Sequence, residues 1–361
     1  MGVKQITEKS VKFTEIDEEL RSILESKKTR IKVVGCGGAG NNTITRLMQV
    51  GITGAETIAV NTDAMDLLYT DADKKILIGK ELTGGLGAGA DPNIGMEAAK
   101  ETKDELKKAL SGADMVFITC GLGGGTGTGA SPVVADIAKK IGALTVAVVT
   151  LPFKMEGKQR MANAYEGLKN LESIVDTLIV IPNDKLLEII PDVSIVTAFK
   201  ICDEILVNAV KGVTELVTRP GLVNLDFADI RAVMRDGGVA MIGMGESNTE
   251  NRAYESVEKA LNNPLLTVDI SDAKNALINI TGGPDITIRE AQQIVEVVST
   301  KLNPDSKIIW GAIVDRDLGD TIRTLLIVTG VKSPQIFGPE RPWSKERKKD
   351  IEKILGVDFV E

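Results

Sequence analysis

Residues 121–130 read GLGGGTGTGA, between a strand-like apolar run, DMVFIT (114–119), and a helix-like segment, SPVVADIAKKIG (131–142). A loop that is almost bare backbone adopts conformations closed to residues with a Cβ, and it lets a ligand approach its N–H groups. A second such stretch, GCGGAGNN (35–42), follows IKVV (31–34) and leads into NTITRLMQV (42–50). In both cases glycines deliver a strand into the positive end of a helix, where unpaired N–H donors suit an anion.

From residue 31 the pattern alternates between the two periods. TIAV (57–60), ILIG (76–79), LTVAVVT (144–150) and TLIVIP (177–182) are unbroken apolar strands, separated by helical segments such as IGMEAAKETKDELKKAL (94–110) and ANAYEGLKNL (162–171). Such strands belong to a parallel sheet covered on both faces, so the fold class is α/β and Rossmann-like. SIVTAFKICDEILVNAVKGVTELVT (194–218) reads as one long helix ending at Pro220 and Gly221. Its apolar residues occupy more than one side, which predicts a helix lying between two bodies. Beyond it, GVAMIGMGES, NALINITGG, SKIIWGAIVD and TIRTLLIVTG are strands with few intervening helices, which predicts a smaller α+β domain.

What is missing narrows the chemistry. The chain has no histidine, so Ser-His-Asp and Cys-His systems and imidazole acid–base catalysis are excluded. Three cysteines without a C-x-x-C pair suggest neither a disulfide framework nor a zinc knuckle, and no metal ligand set is expected. A net charge of -8 argues against nucleic acid as a partner. No apolar run is long enough to span a bilayer, and the N-terminus lacks the core of a signal peptide; a cytoplasmic protein is expected.

The first glycine turn is ambiguous alone. Gly35, Gly37 and Gly40 form G-x-G-x-x-G, and Asp63 follows where a ribose-binding acid would stand, as in a nicotinamide dehydrogenase. The second loop tips the balance. A dinucleotide needs one pyrophosphate cradle, whereas two cradles suit a nucleoside triphosphate, with Thr126 and Thr128 able to bond phosphate or a magnesium-bound water. No G-x-x-x-x-G-K-[ST] is present, which excludes a P-loop enzyme.

The motif GGGTGTG, together with GCGGAGNN, NTD (61–63), GLGAGADP (85–92), LPFKMEGKQR (151–160), VIPND (180–184) and GLVNLDFADI (221–230), resembles the tubulin/FtsZ superfamily on its FtsZ side. The resemblance covers about residues 30–330. It implies a GTP-binding domain (30–193), a central helix (194–218) and an α+β activation domain (219–334), flanked by an N-terminal extension (1–29) and a charged tail (335–361). It implies a GTPase that binds GTP or GDP, polymerises head to tail with itself, and forms the division ring at midcell. A membrane-anchoring adaptor would be its further partner, without direct membrane insertion.

Carried over residue by residue, the resemblance assigns phosphate contacts to Gly37, Gly38, Ala39, Gly123, Gly124, Gly125, Thr126, Gly127, Thr128 and Gly129. It makes Ala88, Gly89 and Ala90 a γ-phosphate sensor, and adds Asn61, Asp63, Glu156 and Arg160 to the site. Asn42 and Asn183 would complete base and ribose recognition. Phe199 and Asp203, four apart on one helix face, would stack on guanine and accept from its N1–H and 2-amino group. Without the resemblance, Phe199 reads as core, Asp203 as a solvated charge, and Glu156–Arg160 as a surface ion pair. Mg2+ would sit mainly on phosphates and water.

The same resemblance makes Asn224, Asp226 and Asp229 the hydrolytic group, entering the site of the next molecule; from spacing alone, Asp226 is a helix cap. A filament that keeps GTP without hydrolysing it is the remaining alternative. Cys36, Cys120 and Cys202 flank the proposed pocket; they read first as small apolar residues suited to crowded strand and helix positions, with thiol modification competing with nucleotide as the alternative. Residues 13–24 carry apolar side chains at helical spacing, and the tail shows a short Ile351/Ile354/Leu355 stripe beside lysines.

Overall fold

The computed structural model describes residues 29–185, 194–219, 222–223, 225–263 and 270–331. The N-terminal helical pattern, Pro220, Gly221, Asn224 and the charged tail lie outside these residues.

Six strands, β1 (Ile31–Cys36), β2 (Ala55–Asn61), β3 (Lys74–Leu77), β4 (Met115–Gly121), β5 (Leu144–Leu151) and β6 (Thr177–Pro182), pair in parallel in the order β3-β2-β1-β4-β5-β6. All eight residues of β5 are buried, as an unbroken apolar run in a doubly covered sheet requires. The helices between them are α1 (Gly37–Val50), α2 (Ala64–Tyr69), α3 (Lys80–Thr83), α4 (Pro92–Glu101), α5 (Lys103–Leu110), α6 (Thr126–Lys140) and α7 (Lys158–Glu172). One face of the sheet is covered by α4–α7, through residues such as Ala98, Leu106, Val134 and Leu168. The other is covered by α1 and the long helix α8 (Ile195–Thr218), which buries Leu206, Val210 and Val213.

The second half contributes α9 (Phe227–Met234), β7 (Gly238–Ser247), α10 (Arg252–Leu261), β8 (Asn275–Gly282), α11 (Ile288–Ser299), β9 (Lys307–Val314) and β10 (Ile322–Thr329). Its strands do not form a separate sheet. Thr177, Leu178 and Ile179 pair with Gly238, Val239 and Ala240, so one ten-stranded sheet continues as β6-β7-β10-β8-β9. The long helix is packed against both halves: Asn279 Nδ2 donates to Gly212 O at 2.9 Å, and a Cβ at Gly212 would lie 2.3 Å from Leu325 Cδ2.

The segment 94–110, expected as one helix, is two. Thr102 (φ -99°, ψ 20°) interrupts it and accepts the Gly79 N–H at 3.1 Å, while the Glu101 carboxylate accepts from Glu81 and Leu82 N–H. The break therefore anchors the loop that leads into 84–91.

Candidate functional site

Both glycine turns lie at the C-terminal ends of adjacent strands β1 and β4. α1 and α6 begin there without a side-chain cap or an acidic residue in the first turn. The Gly129 N–H donates to Gly125 O at 3.0 Å, so the N–H groups of Thr126, Gly127 and Thr128 precede the first intrahelical bond of α6. The two turns touch through backbone: at Gly37 (φ 70°) a Cβ would stand 2.8 Å from Gly127 N. Side chains at either position would push the cradles apart.

The loop 84–91 closes onto the second turn. Gly85, Gly87, Gly89 and Ala90 all have positive φ, and for Ala90 (62°) that is a strained conformation. A Cβ at Gly125 would meet Ala88 Cβ at 2.8 Å and Asp91 N at 2.9 Å. By contrast, Cβ positions at Gly124 and Gly89 face open space. Thr62 and Thr126 share a hydroxyl hydrogen bond of 2.6 Å, which ties the β2–α2 turn to the start of α6. Asn163 on α7 donates to Ala90 O at 3.3 Å.

Some expected contacts have a structural task. Thr128 is buried and its Oγ1 accepts the Gly123 N–H at 2.8 Å, so its backbone N–H is the group left for an anion. A Cβ at Gly129 would lie 2.0 Å from Pro92 O, so this glycine lets α4 and α6 approach. Asp63 caps α2 through Oδ1, accepting from Met65 and Asp66 N–H, and Asn61 Oδ1 accepts from Thr62 N–H at 2.9 Å. Glu156 accepts from Phe153 N–H at 2.8 Å and pairs with Arg160 at 3.0 Å; the Arg160 backbone lies against Gly123.

At the other end of the site, a cavity of about 330 Å³ is lined by Asn42, Arg46, Lys200, Asp203 and Glu204, among others. Phe199 is 44% exposed and stands edge-on to the buried Phe153, with ring centroids 5.4 Å apart, which leaves a face free to stack. Arg46 holds Glu204. Burial, assisted by the neighbouring Glu204 charge, pushes the Asp203 carboxyl up to about 6. Asn183 is buried, and its Oδ1 has no hydrogen-bond partner. A larger cavity, about 480 Å³, is lined by Thr128 and Gly129 together with residues of α4, α6 and α7 such as Met96, Val133 and Asn170.

A family model described as the tubulin/FtsZ family GTPase domain matches residues 30–191, and one described as the FtsZ family C-terminal domain matches residues 238–332. The chain belongs to the tubulin/FtsZ family. It is 65% identical over 327 residues to a Cell division protein FtsZ 1 of Thermococcus kodakarensis, covering 91% of this chain and 87% of that protein. It is 57% identical over 348 residues to the Cell division protein FtsZ 1 of Archaeoglobus fulgidus, covering 96% and 93%. A solved structure described as an empty FtsZ dimer of M. jannaschii superposes with a TM-score of 0.84 at 61% identity, covering 88% of this chain and 92% of that one. The chain is thus an FtsZ-family protein with a GTPase domain, and guanine nucleotide is its ligand. The dehydrogenase reading of Gly35, Gly37, Gly40 and Asp63 is thereby overturned, and so is a filament that never hydrolyses GTP.

The residues present fit a nucleoside triphosphate: two uncapped helix starts in contact and open space at Gly124 suit the phosphates, and the orphaned Asn183 oxygen suits a donor on the base or ribose. Among the described residues, no group of three or more His, Cys, Asp or Glu side chains is placed to hold a metal ion.

The cysteine expectation fares differently. Cys36, Cys120 and Cys202 are free and buried. Burial pushes all three thiols up, Cys120 and Cys202 to about 12, which keeps them protonated and unreactive. Thiol modification is therefore a poor competitor for nucleotide.

The glycine geometry separates folding from binding. Gly129→Ala places a methyl against Pro92 O and Met96 N, both backbone, and is expected to destabilise by about 1–3 kcal/mol. Gly124→Ala meets nothing, so melting temperature should stay within about a degree while GTP affinity falls, because the methyl enters the ligand's space. Thermal unfolding and GTP titration of both variants check this; equal destabilisation by both would contradict it.

Proposed function

We propose that this chain polymerises head to tail and hydrolyses GTP only where two molecules meet. Asp226 and Asp229, with Asn224, align and polarise water at the nucleotide of the next molecule. The observation that carries this reading is distance. Asp203 lies near the nucleotide end of α8, and Thr218 at its far end donates to Thr53 O, in the loop before β2. At 1.5 Å per residue the separation along the helix is about 22 Å. Asp226 follows Thr218 by eight residues, and α9 is anchored at its end to the first residues of β6 and β8: Thr177 Oγ1 donates to Met234 O, and Asn275 Nδ2 to Val233 O at 3.3 Å. The anchored end of α9 thus lies at the end of the sheet opposite the cradles, which supports a role for its acids outside their own molecule's pocket.

Each end also presents unburied apolar surface. Around the cradles Met65, Leu68, Tyr69, Leu82 and Leu86 are exposed, Leu86 by 88%; Leu222, beside the 225–229 segment, is 64% exposed. Such patches mark contact surfaces. A contact that joins unlike ends does not close on itself and generates filaments. Asp226 is exposed at the N-cap of α9, and its own N–H donates to Asp229 Oδ2 at 3.3 Å, which fixes the two acids side by side.

The first turns and the 84–91 loop hold the phosphates, Phe199 stacks on the base, and Asp203, Asn42 and Asn183 read base and ribose. Mg2+ neutralises the phosphates when bound. The filament forms the division ring at midcell in the cytoplasm, and a membrane-anchoring adaptor holds it. No helix among the described residues is long and apolar enough to cross a membrane.

Phosphate release measured against protein concentration tests shared catalysis. Turnover per molecule is expected to be near zero in dilute solution and to rise above a threshold at which light scattering also appears. A per-molecule rate indifferent to dilution would rule it out.

A further inference from the structure

Asp66, in the first turn of α2, is absent from the residues that family resemblance assigns to the nucleotide site. Its Oδ2 accepts from Asn41 Nδ2 at 3.1 Å and from Asn61 Nδ2 at 2.6 Å. The two amides come from α1 and β2, so the carboxylate is fixed between the first glycine turn and the Asn61–Asp63 turn. A Cβ at Gly38 would lie 3.8 Å from Asp66 Oδ2, which places the acid beside the phosphate cradle. Asn41 itself is 1% exposed, and its Oδ1 is buried with no hydrogen-bond partner. A buried amide oxygen without a donor is costly unless something occupies the site.

We propose that Asp66 and Asn41 form the protein's share of a divalent-cation site that completes when nucleotide binds. This rests on the reading of the two glycine turns as a GTP site. A carboxylate fixed beside a triphosphate repels it unless a cation lies between them. Mg2+ is commonly held by one or two carboxylates together with phosphate oxygens and water, and both protein atoms here are the hard oxygens it prefers. Asp66 supplies charge and Asn41 Oδ1 accepts from a cation-bound water. Asn61 is a positioning residue: its Nδ2 donates to Asp66 Oδ2 at 2.6 Å and fixes the carboxylate beside the cradle. The site needs no cluster of three acids, because the nucleotide provides the remaining ligands.

The test is GTP affinity, by calorimetry, with Mg2+ and with EDTA, for the wild-type chain and for Asp66→Asn. Asparagine at 66 keeps an oxygen to accept from Asn41 and Asn61, so the bracket survives. The wild type is expected to gain about tenfold or more in affinity on adding Mg2+. Asp66→Asn is expected to bind at least as well as wild type in EDTA, because the repulsion is gone, and to gain less than threefold from Mg2+. Mn2+ bound with GTP should show a changed paramagnetic resonance line shape in the variant, a readout independent of turnover. Equal gains from Mg2+ in both proteins would overturn the assignment to Asp66 alone; a wild type that binds no GTP in either condition would overturn the underlying site.

Discussion

Asp226→Ala is expected to lower GTP turnover by about 10²–10⁴-fold, the usual contribution of a positioned acid or base, while GTP affinity stays within twofold. The two effects separate because Asp226 is exposed at the N-cap of α9, a helix tied at Met234 and Val233 to the starts of β6 and β8, whereas the glycine turns lie at the ends of β1 and β4. The substitution removes an N-cap carboxylate as well, so a loss of up to about 1 kcal/mol in stability accompanies it. Asp226→Asn keeps a capping oxygen without the charge and distinguishes the two consequences: its stability should match the wild type and its turnover should remain low. Phosphate release together with equilibrium binding measures both. Parallel loss of affinity and turnover in a folded variant would place Asp226 in its own molecule's pocket.

Asp203→Asn is expected to weaken GTP binding by at least about 100-fold. Guanine presents two donors, each bond to a charged acceptor contributes about 1.5–3 kcal/mol, and an asparagine amide turns one acceptor into a competing donor. The raised carboxyl gives this prediction a pH signature. The empty site ionises Asp203 only above about 6, whereas guanine needs the ionised form. Wild-type affinity should therefore fall as pH drops below 6, by up to about tenfold per unit, and the variant should lack that dependence. Stability moves the other way. A carboxyl raised in the folded state stabilises it at low pH, and that contribution is lost as pH rises from about 4 through 6. The empty variant should thus melt above the wild type at pH 7.5, with the advantage disappearing below about pH 4. An affinity for GTP that is flat between pH 5 and 7.5 in the wild type would contradict the role given to Asp203.

Much of the site was legible because its chemistry is local in sequence. GLGGGTGTGA becomes a turn that opens α6 with no side-chain cap, and the unbroken run LTVAVVT becomes a fully buried strand. The long helix was legible from apolar residues on several sides, and Ser194 caps it through the Thr197 N–H at 3.1 Å. What escaped depends on contacts between distant residues. Nothing near Thr102 announces that it will interrupt a helix to hold Gly79. The continuation of the sheet rests on three residue pairs, Thr177–Ile179 with Gly238–Ala240, which no local pattern marks. Asn41 and Asp66 meet across 25 positions, and Asp66 looks like an ordinary acid in the first turn of a helix. Thr128 and Gly129 were read as ligand contacts because they belong to a glycine-rich motif, but packing against Gly123 and Pro92 also requires them. The cysteines lie beside the site as the sequence implied, but strand and helix burial removes their reactivity.

The division of labour between two molecules is tested most directly by mixing two variants that are each inactive. Asp226→Ala keeps an intact nucleotide site, and Asp203→Asn keeps intact acids at the opposite end. When the second docks its 225–229 segment onto the first, a complete site forms. GTP turnover in the mixture is predicted to exceed the sum of the separate proteins and to peak near equal proportions. Turnover that never rises above that sum, at any ratio or concentration, would show that each molecule must supply both halves of its own site.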